Sequence, residues 1–317
     1  MIINNWSSDF TAKYNHAFPD SYLCFDTEFT GSDGRTDLIL EIGHVMVEKG
    51  QVVDKFNLVL NWYAHPEVQE QWLDFKLQNM RAIVGPTWKF SADYLKKDGV
   101  DPIQGLNFYF KLFDTWEKRN LPFVAQNGQN ADEKLLKGNF DRFLNKSFTL
   151  PENNYFDTGS IFKANQIWEA KAGDAVNFRE VVLPSRADTL KSYFNRVINL
   201  RISGVKWSLQ LILDHYKLFQ KHKVASNEAH TAGFDSMCLH WIMEEYRSQI
   251  VAKEIPDPSA KLKTFNFLYT KEAEDYQKQK AEAEKTSIDN KPSSVVNDAK
   301  PPAPVVSKKP QRRQRLI

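Results

Sequence analysis

The order in which strand-like and helix-like stretches follow one another is what most limits how this 317-residue chain can fold. A short apolar run at residues 22–25 is followed by two β-branched-rich stretches, 38–47 and 51–60, divided by Lys49-Gly50. These predict three strands, the last two a hairpin. Residues 64–117 turn to helical spacing, interrupted at Gly85-Pro86 and Asp98-Gly99, with Pro102 placed to open the helix that ends near Glu117. Residues 121–125 return to a buried strand, which Gln126-Asn127-Gly128 breaks. A helix is expected over 130–144, a strand around 155–158, helical segments over 190–198 and 209–219, and a last helix over 233–247. The order β-β-β-α-β-α-β-α-α describes a mixed sheet covered by helices, an α/β fold.

Composition narrows the function more than the fold. With 42% hydrophobic and 13% aromatic residues the chain can bury a full core, and its net charge of +2 gives no global sign of a nucleic-acid partner, whose footprint can equally be local. Cys24 and Cys238 are the only cysteines and fall in unrelated segments, which excludes a disulfide framework and a cysteine zinc site and suits a reducing compartment. Residues 1–22 lack a signal-peptide core, and no run of about eighteen apolar residues occurs, so a soluble, cytoplasmic protein without membrane contact is expected. A folded domain is expected over 1–252. Residues 253–317 read as a charged helical linker and a disordered Pro-, Ser- and Lys-rich tail. That tail carries five positive charges in the eight residues 308–315, suited to solubilising the chain, tethering nucleic acid or engaging a partner protein. Trp62, Trp72 and Trp88 can serve as core, a substrate wall or a homodimer surface, and core is the ordinary role of such residues.

Three passages carry chemistry. In Phe25-Asp26-Thr27-Glu28-Phe29-Thr30-Gly31, a strand projects Asp26 and Glu28 from one face with Cβ atoms about 7 Å apart, close enough to share divalent cations. In Ala229-His230-Thr231-Ala232-Gly233-Phe234-Asp235, five helical residues at about 100° each would put His230 and Asp235 on different faces. His230 therefore belongs to the loop before the helix, where an imidazole can act as a general base near neutral pH, and Asp235 to the helix itself. The third passage offers two acids, Asp132 and Asp141. Leu135, Leu136, Phe140, Phe143 and Leu144 define the buried helix face; Asp132 points near its middle and Asp141 to the opposite side. Asp132 also heads the helix, where the dipole favours a carboxylate. Asp157 reads as structural. His16, His44, His65, His215, His222 and His240 form no metal-ligand spacing, and there is no Gly-x-Ser-x-Gly, phosphate-cradling Gly-Lys loop or Gly-x-Gly-x-x-Gly.

These passages, in this order, resemble the DEDDh 3′→5′ exonucleases, the superfamily of polymerase proofreading exonucleases, RNase T and oligoribonuclease. The resemblance spans residues 23–246 and is closest in the first and last passages. In the middle one, Gln126 stands where histidine is common, Ala131 precedes Asp132, and the loop is one residue longer, so by wording alone Asn139-Phe140-Asp141 fits the family better. The resemblance implies a ribonuclease-H-like mixed β-sheet flanked by α-helices and metal-dependent hydrolysis at single-stranded DNA or RNA 3′ ends. It implies two Mg2+ or Mn2+ ions, with Asp26, Glu28 and Asp235 on one, Asp26 bridging to the second, Asp132 acting directly or through water, and His230 as general base. Phe29 is expected either to stack on the terminal nucleotide or to pack in the core. A catalytically weak exonuclease-fold module that only binds nucleic acid is the competing expectation.

Overall fold

The computed structural model describes residues 18–169, 189–202, 204–224 and 231–251, all within one compact unit spanning residues 1–266. Three strands come first: β1 (Tyr22–Phe29), β2 (Ile39–Glu48) and β3 (Gln51–Val59). Lys49 (φ 52°) and Gly50 (φ 74°) both adopt the left-handed region, the backbone a two-residue hairpin turn needs if its twist is to match the flanking strands. A short 3-10 turn at Trp62–Ala64 leads to helices α1 (Glu70–Val84), α2 (Ala92–Asp98) and α3 (Pro102–Lys118). Pro102 opens α3 as expected, with the Asp101 carboxylate accepting from the Gln104 N–H at 2.8 Å.

Strand β4 (Phe123–Ala125), helix α4 (Asp132–Leu144) and strand β5 (Tyr155–Asp157) complete the sheet, whose order is β3-β2-β1-β4-β5. β1–β2 and β2–β3 are antiparallel while β1–β4 and β4–β5 are parallel, so the sheet is mixed and, with helices flanking it, the fold is α/β as expected. Helix α5 (Thr158–Glu169) starts directly from β5, a helix the sequence reading does not separate out. Helices α6 (Leu190–Asn199), α7 (Leu209–His215), α8 (Leu218–His222) and α9 (Ala232–Val251) follow. The single helix expected over 209–219 is thus two, because Lys217 adopts a left-handed conformation (φ 54°) that ends the first.

The two faces of β1 do different work. Odd positions face α3 and α4: the Phe25 ring lies 5.3 Å from Phe113 on α3, and Thr27 meets Asp132 at the head of α4. Even positions face α9: the Tyr22 hydroxyl meets His240 Nδ1 at 3.0 Å. Trp62 and Trp88 are buried in the core and Trp72 is half-buried against it. No described helix is long and apolar enough to cross a membrane. The expected boundary near residue 252, the charged linker and the basic tail lie outside the described residues.

Candidate active site

Asp26 and Glu28 leave the even face of β1 just before it ends, half-buried, as strand geometry dictates. Asp235 reaches them from the first turn of α9. This approach depends on Gly43, the β2 partner of Asp26 in the ladder: a Cβ there would lie 2.2 Å from the backbone of Ala232 and Gly233. Only a residue without a side chain lets the end of α9 sit so close to the sheet. As a result Asp26, Glu28 and Asp235 each bring a carboxylate oxygen to within 4.8 Å of the other two.

Asp132 comes from the opposite side of the sheet. It heads α4, is buried, and its Oδ1 accepts hydrogen bonds from the Thr27 N–H (2.9 Å) and hydroxyl (2.6 Å). Since Thr27 sits between Asp26 and Glu28, this bond seats Asp132 beside the pair while its helix packs elsewhere. Asp141 is exposed on the far side of α4, as its helical phase predicts. Asp157 is a helix cap: its Oδ1 accepts from the Ser160 N–H (2.7 Å) and its Oδ2 from the Tyr155 hydroxyl (2.7 Å). Gln126 ties loops together, donating to the Trp207 carbonyl (2.6 Å) and accepting from the Thr158 hydroxyl (2.5 Å). Phe29 is half-buried against the core. Helix α9 begins at Ala232, two residues after His230, and His230 itself lies outside the described residues.

The electrostatics are those of a site in which negative charge outweighs the one lysine nearby, Lys89. Burial pushes the Asp26 carboxyl well above the ordinary carboxylate range, and the charges of Asp132, Asp235, Glu28 and Glu41 push it further. Glu28 is pushed up to about 8 by burial, then by Asp235 and Glu41, with Lys89 pulling the other way. Asp132 is raised to about 7 by burial even though the Thr27 hydrogen bonds favour its ionised form. Four acids gathered together, three of them held above the ordinary carboxylate range, match the donor set of a hard divalent cation, which takes carboxylate oxygen and supplies the missing charge.

One residue escapes the sequence reading. Glu41 on β2, fully buried and opposite Glu28 in the ladder, binds Lys89, Asn57 and the first amide of α9. In the sequence it is one acid within an apolar strand, and only the tertiary contacts distinguish it. The remaining described histidines serve packing: His44 lies buried between Tyr109 (3.3 Å) and Asp54 (3.2 Å), and His222 stacks on Trp241 at 4.3 Å.

No family model matches the sequence, and no curated protein matches it. Solved structures do. The chain is similar to Exonuclease I of E. coli. Against that enzyme in complex with a dA16 oligonucleotide it shows 14% identity and a TM-score of 0.44, over 80% of this chain and 43% of the other. Against the zinc-bound form of its complex with single-stranded DNA the values are 12% and 0.46, over 80% and 43%. Against the complex with a dT13 oligonucleotide they are 14% and 0.45, over 80% and 44%. The chain therefore spans less than half the length of the structures it matches.

Proposed function

We propose that this chain is a metal-dependent 3′→5′ exonuclease that hydrolyses the terminal phosphodiester bond of single-stranded DNA or RNA. The supporting observation is the convergence of Asp26, Glu28 and Asp235, from the two ends of the described chain, to within 4.8 Å of one another. Asp26, Glu28, Asp235 and Asp132 would hold Mg2+ or Mn2+. Bound there, the ions would supply positive charge to the phosphoryl oxygens and the leaving 3′ oxygen.

The protein's own part is positioning and proton transfer. His230, two residues before α9, would take the proton of the attacking water as its oxygen bonds to phosphorus and the bond to the 3′ oxygen breaks. Thr27 holds Asp132 in place through that cycle. The basic stretch 308–315 would add phosphate contacts that carry no sequence information.

The test is digestion of matched 3′-labelled DNA and RNA oligomers with Mg2+ and with EDTA. Expected is stepwise loss from the 3′ end with Mg2+, none with EDTA, and near-complete loss of activity in Asp235→Ala. Full activity in Asp235→Ala overturns the assignment, and tight binding without cleavage in every metal identifies a binding module instead. His230→Ala should lower turnover far more than Mn2+ affinity; the reverse removes the general-base role.

A further inference from the structure

Glu41 sits where the sheet meets the helix that carries Asp235. Its Oε2 accepts the N–H of Ala232 at 2.8 Å, while its Oε1 accepts both Lys89 Nζ and Asn57 Nδ2 at 2.6 Å. Asn57 in turn accepts the N–H of Gly233 at 2.9 Å through its Oδ1. The amides of Ala232 and Gly233 are the first two of α9, which have no partner within the helix. The β2–β3 hairpin thus supplies the acceptors for the opening of α9, and an anion at that end is also favoured by the helix dipole.

We propose that Glu41, with Asn57 and Lys89, is a positioning latch that fixes the first turn of α9 on the sheet and so sets the Asp235 carboxylate against Asp26 and Glu28. The inference rests on the metal-site reading above and adds to it a residue outside the Asp26, Glu28 and Asp235 cluster. The chemistry demands glutamate. Three donors converge on its two oxygens, and a carboxylate accepts at both; a glutamine has one acceptor oxygen and one NH2, so it would turn donors against donors on one side. Lys89 lies 25% exposed against a fully buried partner and offsets the charge that Glu41 would otherwise add beside Glu28. Gly43 and Glu41, two residues apart on one strand, therefore act together, since one admits the helix and the other holds it.

The experiment is a titration of the full chain with Mn2+ alone, followed by calorimetry, alongside the Mn2+ dependence of nuclease turnover. Glu41→Gln should weaken Mn2+ binding roughly 10-fold or more, the usual cost of losing a group that orients a metal ligand. Turnover should largely recover at saturating Mn2+, since the ligands themselves remain. Asn57→Ala, on the exposed edge strand, should weaken Mn2+ binding in the same direction but less than Glu41→Gln, and serves if Glu41→Gln does not fold. Asp37→Asn, which breaks a buried ion pair elsewhere, should lower the melting temperature and leave Mn2+ affinity alone. Wild-type Mn2+ affinity in both Glu41→Gln and Asn57→Ala overturns the latch, even if their melting temperatures fall. A wild-type chain that binds no Mn2+ overturns the metal-site reading instead.

Discussion

Asp37 and Asp26 are two acids eleven residues apart, both at the carboxyl end of β1 and the turn beyond it, with opposite surroundings. Asp37 is buried among donors: its Oδ1 accepts the Thr30 hydroxyl (3.1 Å) and Lys76 Nζ (2.7 Å), and its Oδ2 the Asp33 N–H (2.9 Å). Asp26 is set among Asp132, Asp235, Glu28 and Glu41, and among the described residues no side-chain hydrogen bond or ion pair reaches it. A carboxylate that serves the fold is surrounded by what neutralises it, because an uncompensated buried charge costs stability. One surrounded by other carboxylates makes sense only if something outside the chain completes it.

Substitution should separate the two sites most sharply. Asp26→Asn is expected to lower Mg2+-dependent turnover by about 10³-fold or more, while relieving repulsion and raising the melting temperature of the metal-free protein. Asp37→Asn should do the converse, costing about 1–3 kcal/mol in a denaturant titration, since Lys76 loses its charged partner and the Asp33 N–H its acceptor, with turnover per folded molecule retained. If Asp26→Asn melted lower than wild type without metal, the contrast between the sites would be lost.

Acidity should show the same division more gently. The Glu28 carboxyl is raised in the fold to about 8 from an ordinary 4.5, so the stability it lends the metal-free protein is complete below about pH 4.5 and is lost as pH rises through about 8. Melting temperatures without metal should therefore fall across that window, and the gain on adding Mn2+ should widen. A gain that stays flat from about pH 5 to about pH 8 would break the link between raised acidity and metal binding. The smallest effect is expected at Asp141: Asp141→Ala should change stability by no more than about 0.5 kcal/mol and leave turnover intact, whereas Asp132→Ala should lose most of it. Equal losses in the two would undo the choice of Asp132.

Much of this was legible before any coordinates. Local geometry needs no partner: alternation along a strand puts Asp26 and Glu28 on one face, and helical phase turns Asp132 inward and Asp141 out. The hairpin at Lys49-Gly50 and the opening of α3 at Pro102 follow from backbone preferences of single residues. The break at Lys217 left no such mark, since lysine has no preference for the left-handed region.

What the chain determines by itself is thus the order of its elements and the facing of each acid along its own strand or helix, because both depend on neighbours a few residues away. Only the tertiary structure decides that Asp235 meets Asp26 at all. That encounter depends on a glycine facing the backbone of Ala232 and on a glutamate whose partners lie 16, 48 and 191 residues distant. Close approach and shared hydrogen bonds exist only once distant segments have packed, so no local pattern announces them.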